Sequence, residues 1–467
     1  MFLNSAFFKL NRAPLVLGLL SIVLYWFFAY DLVRTEYVKL VALYVALFGL
    51  FYKLVLALKD NIKALTYLAF GFRAVFILSI PNLSQDFYRF IWDGRMLLAG
   101  LNPYLYTPEQ FITRGNFPVA QAEALYAGMG PLNGSHFTNY PPINQFCFFI
   151  AGIFAGKSIL GSAMVMRLLI IAADFGTLHF GKKLLKKLDL PAYNIFWFIL
   201  NPFIIIELTG NLHFEGVMIF FLIWSLYLLH CGKWQISAVV LALSVSVKLI
   251  PLMFLPLVFQ WFIMRNTTST ANTKSNFLKG LPKLIGFYGI VGATILLLFA
   301  PFYSDQFISN YAKTVGLWFQ NFEFNGSLYY ILREIGYTFR GYNEIAIIGK
   351  ITPVLVILFI LAITFFRKNR TTIELISAML LALSFYYFTT TTVHPWYVAT
   401  LLILSVFTKY KFPLVWSFVI ILSYLAYVNV DKADKSENLW VITLEYAVVY
   451  TVFFWEIATK KASKLEA

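Results

Sequence analysis

The chain has 467 residues and a formal charge of +15, yet only 13% of its residues are charged and 60% are apolar. Soluble domains carry about 25% charged residues, so this composition excludes a soluble globule and points to one polytopic membrane domain. The Lys and Arg residues gather in short runs between apolar stretches, which is the positive-inside pattern and not a nucleic-acid footprint. Cys147 and Cys231 lie in or beside apolar runs and suggest neither a disulfide framework nor a metal cluster.

In chain order, residues 14–30 follow Lys9 and Arg12 and read as an uncleaved first span, since the run continues into Asp31 without a small-residue cleavage site. Further apolar runs at 38–57 and 64–81 complete an N-terminal section, 1–81. A large polar and aromatic loop, 82–161, comes next and contains the apolar segment 142–156, opened by Pro141-Pro142. The remainder, 162–467, holds runs at 162–181, 192–209, 214–230, 235–249, 250–264, 284–303, 346–366, 373–390, 396–410, 413–428 and 440–458. The expected fold is an all-α transmembrane bundle of about 14 spans. Basic clusters then orient it: Lys182, Lys183, Lys186 and Lys187; Arg265, Lys274, Lys279 and Lys283; Arg367, Lys368 and Arg370; Lys409 and Lys411; and Lys460, Lys461 and Lys464. All fall on the cytoplasmic side, with both termini, if 142–156 forms a re-entrant or surface helix instead of crossing. Residues 266–276 read as a flexible cytoplasmic loop, and the loops 82–161 and 304–345 face outward.

The densest chemistry opens the first outer loop. Ser84 suits a helix N-cap, Gly100 a C-cap, and Asn102-Pro103 stops the helix between them. On that helix Asp86, Arg89, Phe90 and Asp93 share a face. An acid in the first turn and an Asp/Arg pair at this spacing are also ordinary surface features. What favours function is a carboxylate at a membrane surface among the aromatic residues Phe87, Tyr88, Phe90 and Trp92, suited to sugar contacts and proton abstraction.

A second cluster runs from Asn201-Pro202 through Glu207 to His213 and Glu215. It is weak as a zinc pair but plausible as donor and acceptor at a cavity mouth; a plain polar turn is the alternative. Lys248, inside an apolar run just before Pro251, is either functional or snorkelling to the interface. Arg73, Arg167, Asp174 and Glu207 read first as structural ion pairs. Asn325, within the segment Asn321 to Ser327, and His394-Pro395-Trp396-Tyr397 complete the outer-face set. No Walker loop, nucleophile elbow, zinc-protease motif or dinucleotide fingerprint is present, so a soluble nucleotide is not the obvious donor.

These residues resemble the C-type integral-membrane glycosyltransferases that use polyprenyl-phosphate sugars, the mannosyltransferases among them. The resemblance runs over roughly residues 80–400. It is carried by D-x-Y-R-x-x-W-D-G-R-x-x-x-x-G-x-N-P-Y from Asp86, Tyr140-Pro141-Pro142, N-P-x4-E-x5-H-x-E from Asn201, Lys248 with Pro251, Phe324-Asn325-Gly326-Ser327 and His394-Pro395-Trp396-Tyr397. It implies Asp86 as catalytic carboxylate, inversion at the anomeric carbon, a polyprenyl-phosphate hexose (mannose by analogy) as donor, a lipid or glycan acceptor, and residence in a bacterial cell membrane. Arg89, Asp93, Arg95, Tyr140, His213, Glu215, Lys248, Asn325, His394 and Tyr397 are the expected substrate-binding set, with Lys248, Arg89, Arg95 or His394 serving the phosphate. Many relatives carry two acids in a D-x-D arrangement, whereas Ser84-Gln85-Asp86 carries one, so no metal or other cofactor is expected. A transporter or flippase is the rival reading, which inverted repeats with paired broken helices would favour, but the sequence shows no convincing ones; a structural scaffold is the third.

Overall fold

A computed structural model describes residues 12–264, 273–320, 322–429 and 437–465. Lys9, Arg265, Asn321 and residues 266–272 of the expected loop lie outside the described residues, whereas residues 273–276 of that loop are already helical.

The chain opens with α1 (Arg12–Tyr30), α2 (Tyr37–Ala57) and α3 (Ile62–Val75). The first of the two loops expected to face outward folds as α4 (Asp86–Leu98), α5 (Pro108–Thr113), α6 (Ala122–Gly134) and α7 (Pro142–Ala155). Next come α8 (Ile159–Lys187), the bent pair α9 (Ala192–Ile199) and α10 (Pro202–Gly210), then α11 (Glu215–His230), α12 (Trp234–Val245) and α13 (Ile250–Met264). After α14 (Thr273–Phe299) the second outer loop forms α15 (Asp305–Gln320) and α16 (Leu328–Arg340). The chain ends with α17 (Ile345–Phe366), α18 (Thr372–Thr389), α19 (Pro395–Val406), α20 (Phe412–Val428) and α21 (Leu439–Leu465). Among the described residues the only β-type pairing is an isolated parallel bridge between Phe324 and Thr392.

Among the described residues, seven helices are long and apolar enough to cross a bilayer, or eight if α9 and α10, bent by 49°, make one span. The expected count of about 14 is therefore not reached by full-length helices. The shorter apolar helices α7, α11, α12, α13, α19 and α20 have 10–17 residues. At about 1.5 Å per residue they fall short of a hydrocarbon core about 30 Å thick. Apolar runs in sequence do not distinguish a lipid-facing span from a half-length helix buried among others, and α18, 67% buried against 17% for α14, shows the difference. Leu296 and Leu297 are each 73% exposed and Phe366 90%, as expected of lipid-facing side chains.

Local chemistry sets the outer helices. The α4 helix ends in a Schellman turn: Gly100 adopts φ +73°, its N–H donates to Leu97 O, and the N–H of Leu101 donates to Met96 O. Its start departs from expectation. The first helical residue is Asp86, with Gln85 in the flanking position; Ser84 Oγ accepts from the Asp86 N–H at 3.3 Å, and Gln85 donates to Met129 O at 2.9 Å. The α4 and α7 helices approach so closely at Gly94 that a Cβ there would collide with the Phe148 carbonyl. From the second outer loop, α15 docks on the first. Asn310 Nδ2 donates to Tyr104 O at 3.0 Å and the Tyr311 hydroxyl to Asn139 O at 3.1 Å.

Behind this surface, Arg73 and Asp174 form a fully buried ion pair at 2.7 Å. Among the described residues Arg167 pairs with no carboxylate. It donates to four backbone carbonyls, of Ile77, Ser79, Thr209 and Gly210, and so ties the end of α10 to the link before α4. Glu207 accepts from the Tyr424 hydroxyl at 2.7 Å and lies 3.8 Å from His213 Nε2. Each of these groups replaces water with protein partners, as a buried polar group must.

The exposed positions Asn116, Lys187 and Lys368 test sidedness. In a background lacking Cys231, an impermeant thiol reagent added outside should label Asn116→Cys and spare Lys187→Cys and Lys368→Cys. External labelling at 187 overturns the arrangement.

Candidate functional site

A cavity of about 470 Å³ opens where the two outer loops meet the ends of α1, α12, α18 and α19. Of the residues expected from sequence it brings together Asp86, Tyr140, Lys248, His394 and Tyr397.

Asp86 projects from the first turn of α4, and its Oδ1 accepts from Asn133 Nδ2 at 3.1 Å. Burial raises its carboxyl above the ordinary aspartate range; the Asn133 hydrogen bond and the charges of Lys248 and Arg34 only partly oppose this. Lys248 sits in the break between α12 and α13, where Pro251 starts a tighter turn. Its Nζ pairs with Glu215, whose side chain has no exposed surface, while the lysine keeps 19% of its own. The expected snorkelling alternative therefore does not hold: the ammonium turns inward to a carboxylate at the cavity wall. His394 is neutral, because burial and then the Lys248 charge bring it down to about 3.

The other expected residues lie behind the lining. His213 and His394 each stack on Trp396, at 3.7 and 4.6 Å between centroids, and of the two imidazoles only His394 lines the cavity. Glu215 stands behind Lys248. Arg89 pairs with Asp93 at 2.8 Å and donates to the carbonyls of Asn133 and His136, while Asp93 also accepts from Gln145. Arg89 thus turns away from Asp86, its i, i+3 neighbour in the expected surface pair, and forms with Asp93 a buried brace between α4, α6 and α7. Arg95 donates to Lys157 O at 2.9 Å and to Gln121 Oε1 at 3.2 Å, another brace. Neither arginine reaches the cavity as a free cation. Asn325, fully buried at φ +49°, donates its backbone N–H to the Glu437 carboxylate and its side-chain amide to Glu445 at 3.1 Å. It fixes the bridge between Phe324 and Thr392, and so holds Phe322, Thr392 and His394 in the cavity wall.

Arg34, Asn133, Tyr311 and Tyr427 line the cavity and were not singled out in the sequence. Arg34, in the link between α1 and α2, lies 4.2 Å over the Tyr427 ring and donates to Leu83 O at 3.2 Å. Among the described residues it has no ion-pair partner. One signal could have found it, because an arginine at the end of the first span expected to face outward runs against the positive-inside pattern. Among the described residues no three His, Cys, Asp or Glu side chains gather as a metal site.

Long apolar helices around a polar cavity define an integral membrane protein whose cavity offers one carboxylate, two cations and an aromatic wall. The chain belongs to the family described as alpha-(1->6)-mannopyranosyltransferase, N-terminal domain, which matches residues 5–265. It is also similar to alpha-(1->6)-mannopyranosyltransferase A of Mycobacterium tuberculosis, with 24% identity over 190 residues. That match takes in 40% of this chain and 35% of the relative, so the chain is matched to only about a third of the length of that protein.

Proposed function

We propose that the protein is a membrane glycosyltransferase that moves mannose from a polyprenyl-phosphate donor to a lipid or glycan acceptor on the non-cytoplasmic face, with inversion. The observation that carries this reading is the sharing of one cavity by Asp86, Lys248 and Arg34. Asp86 takes the proton of the acceptor hydroxyl as its oxygen bonds to the anomeric carbon. The bond from that carbon to the phosphate oxygen breaks, and the phosphate leaves with the electron pair. Lys248 and Arg34 meet the charge that grows on the leaving phosphate, a contribution that is largest in a cavity poor in water. Tyr140, Tyr397 and Tyr427 supply ring faces and hydroxyls for a pyranose. Mannose as the sugar is supported by the family and by the name of the mycobacterial relative.

The test is transfer of radiolabel from polyprenyl-phosphate mannose to cell lipids by the full-length protein in lipid nanodiscs. Label in the lipid fraction is the expected result; label transferred only from a nucleotide sugar overturns the donor assignment. Among the described residues the cavity holds a single carboxylate free of a cation partner, so transfer is expected to persist in excess chelator. Loss of activity there, restored by manganese or magnesium, contradicts the metal-independent mechanism.

A further inference from the structure

Away from the cavity, the outward face of α8 carries one uninterrupted stripe. Leu168, Ala172 and Phe175 are exposed along it, Leu168 by 49% and Phe175 by 59%. At helical spacing the same stripe continues into His179, Lys182, Lys183 and Lys186. These four line a cleft whose far wall is the turn from Asp189 to Ala192. Asp189 adopts φ +56°, and the Leu190 N–H returns to Leu185 O at 2.9 Å, which folds the chain back against the helix end and makes the surface concave. Beside the cleft, Phe180 stacks on Trp224 at 5.1 Å and contacts Tyr227 at 5.6 Å, and the Lys183 ammonium lies 6.0 Å from the Tyr227 ring centre.

Lysines at a helix C-terminus complement its dipole and act as a topology signal, but neither role needs a cleft or an apolar lane leading to it. Aromatic rings mark the level of the membrane interface, so the lysines just beyond Phe180 stand at headgroup depth. We propose that this end of α8 binds an anionic phospholipid, with its phosphate among Lys182, Lys183 and Lys186 and its acyl chains along Phe175, Ala172 and Leu168. The small side chain of Ala172 leaves a shallow groove between the two larger ones, in which a chain can lie against the helix. The occupant follows from charge, from the cleft, and from continuity with the lipid-facing surface of the same helix. Basic pockets beside helices on the leaflet rich in anionic lipid are suited to this task.

Native mass spectrometry of the full-length protein, released from detergent with equal amounts of phosphatidylglycerol and phosphatidylcholine, tests the site. The parent should retain phosphatidylglycerol in preference by about tenfold or more. The triple variant Lys182→Gln, Lys183→Gln, Lys186→Gln should lose the preference. Because those lysines also set topology, the pair His179→Leu, Lys182→Gln, which keeps Lys183, Lys186 and Lys187, should reduce it with orientation intact. The pair variant should transfer sugar as the parent does. Equal retention of the two lipids by the parent, or unchanged preference in both variants, overturns the proposal. Displacement of phosphatidylglycerol by millimolar inorganic phosphate also overturns it, since that marks a simple anion site.

Discussion

Asp86→Asn is expected to lower turnover by about a hundredfold or more while the protein still folds. The amide keeps the shape of the side chain and can still accept from Asn133, so what is lost is basicity. The pH profile gives a second, independent readout. A protonated Asp86 cannot take the acceptor's proton, so kcat/KM rises with pH as this group ionises. Burial holds the carboxyl above the ordinary aspartate range, so the rise should lie above the pH of about 4 at which an exposed aspartate titrates. The variant should lack that limb. Removing the Asn133 hydrogen bond, which favours the ionised form, should move it to still higher pH in Asn133→Leu. Near-parental turnover in Asp86→Asn would remove Asp86 as the base. Neither Asp93 nor Glu215 would replace it readily, since each is fully buried and already bonded to a cation.

Lys248→Met is expected to weaken donor binding and slow transfer together, each by roughly tenfold or more, the usual worth of a hydrogen bond to a charged group. The substitution has a second consequence, because it leaves Glu215 buried without its partner. Breaking a buried pair from one side costs about 3–5 kcal/mol. The double variant Lys248→Met, Glu215→Gln separates the two effects: it should recover thermal stability without recovering donor affinity. Arg34→Gln removes the other cation, which has no ion-pair partner among the described residues, and should weaken donor binding while costing less stability than Lys248→Met, since it strands no buried carboxylate. If both cations hold one phosphate, the effects of Arg34→Gln and Lys248→Met should not add. Donor affinity and rate that stay within about twofold of the parent in Lys248→Met, Glu215→Gln would leave Lys248 with a structural role alone.

The sequence by itself determined the class. Apolar runs broken by basic clusters exclude a soluble domain, and motifs strung from Asp86 to Tyr397 carry the family resemblance that the match over residues 5–265 bears out. It also located five of the cavity residues, Asp86, Tyr140, Lys248, His394 and Tyr397, because an ionisable or aromatic residue beside a helix break at a membrane surface is visible without coordinates. Depth and partnership were decided only by the tertiary structure. Hydropathy cannot tell lipid from protein as the apolar neighbour, so α11 and α12 resemble spans in sequence although they are too short to cross. Spacing along α4 cannot tell a free arginine from one already bonded, so Arg89 and Arg95 look like phosphate ligands until α6 and α7 close over them. Arg34 shows the converse. Nothing near it in the chain marks it, and its place beside Asp86 arises because Leu83 O accepts its hydrogen bond and Tyr427, nearly four hundred residues away, lies under its guanidinium. A side chain's charge is written in the sequence, but whether that charge is spent on the scaffold or left for a substrate depends on which distant groups the fold packs against it.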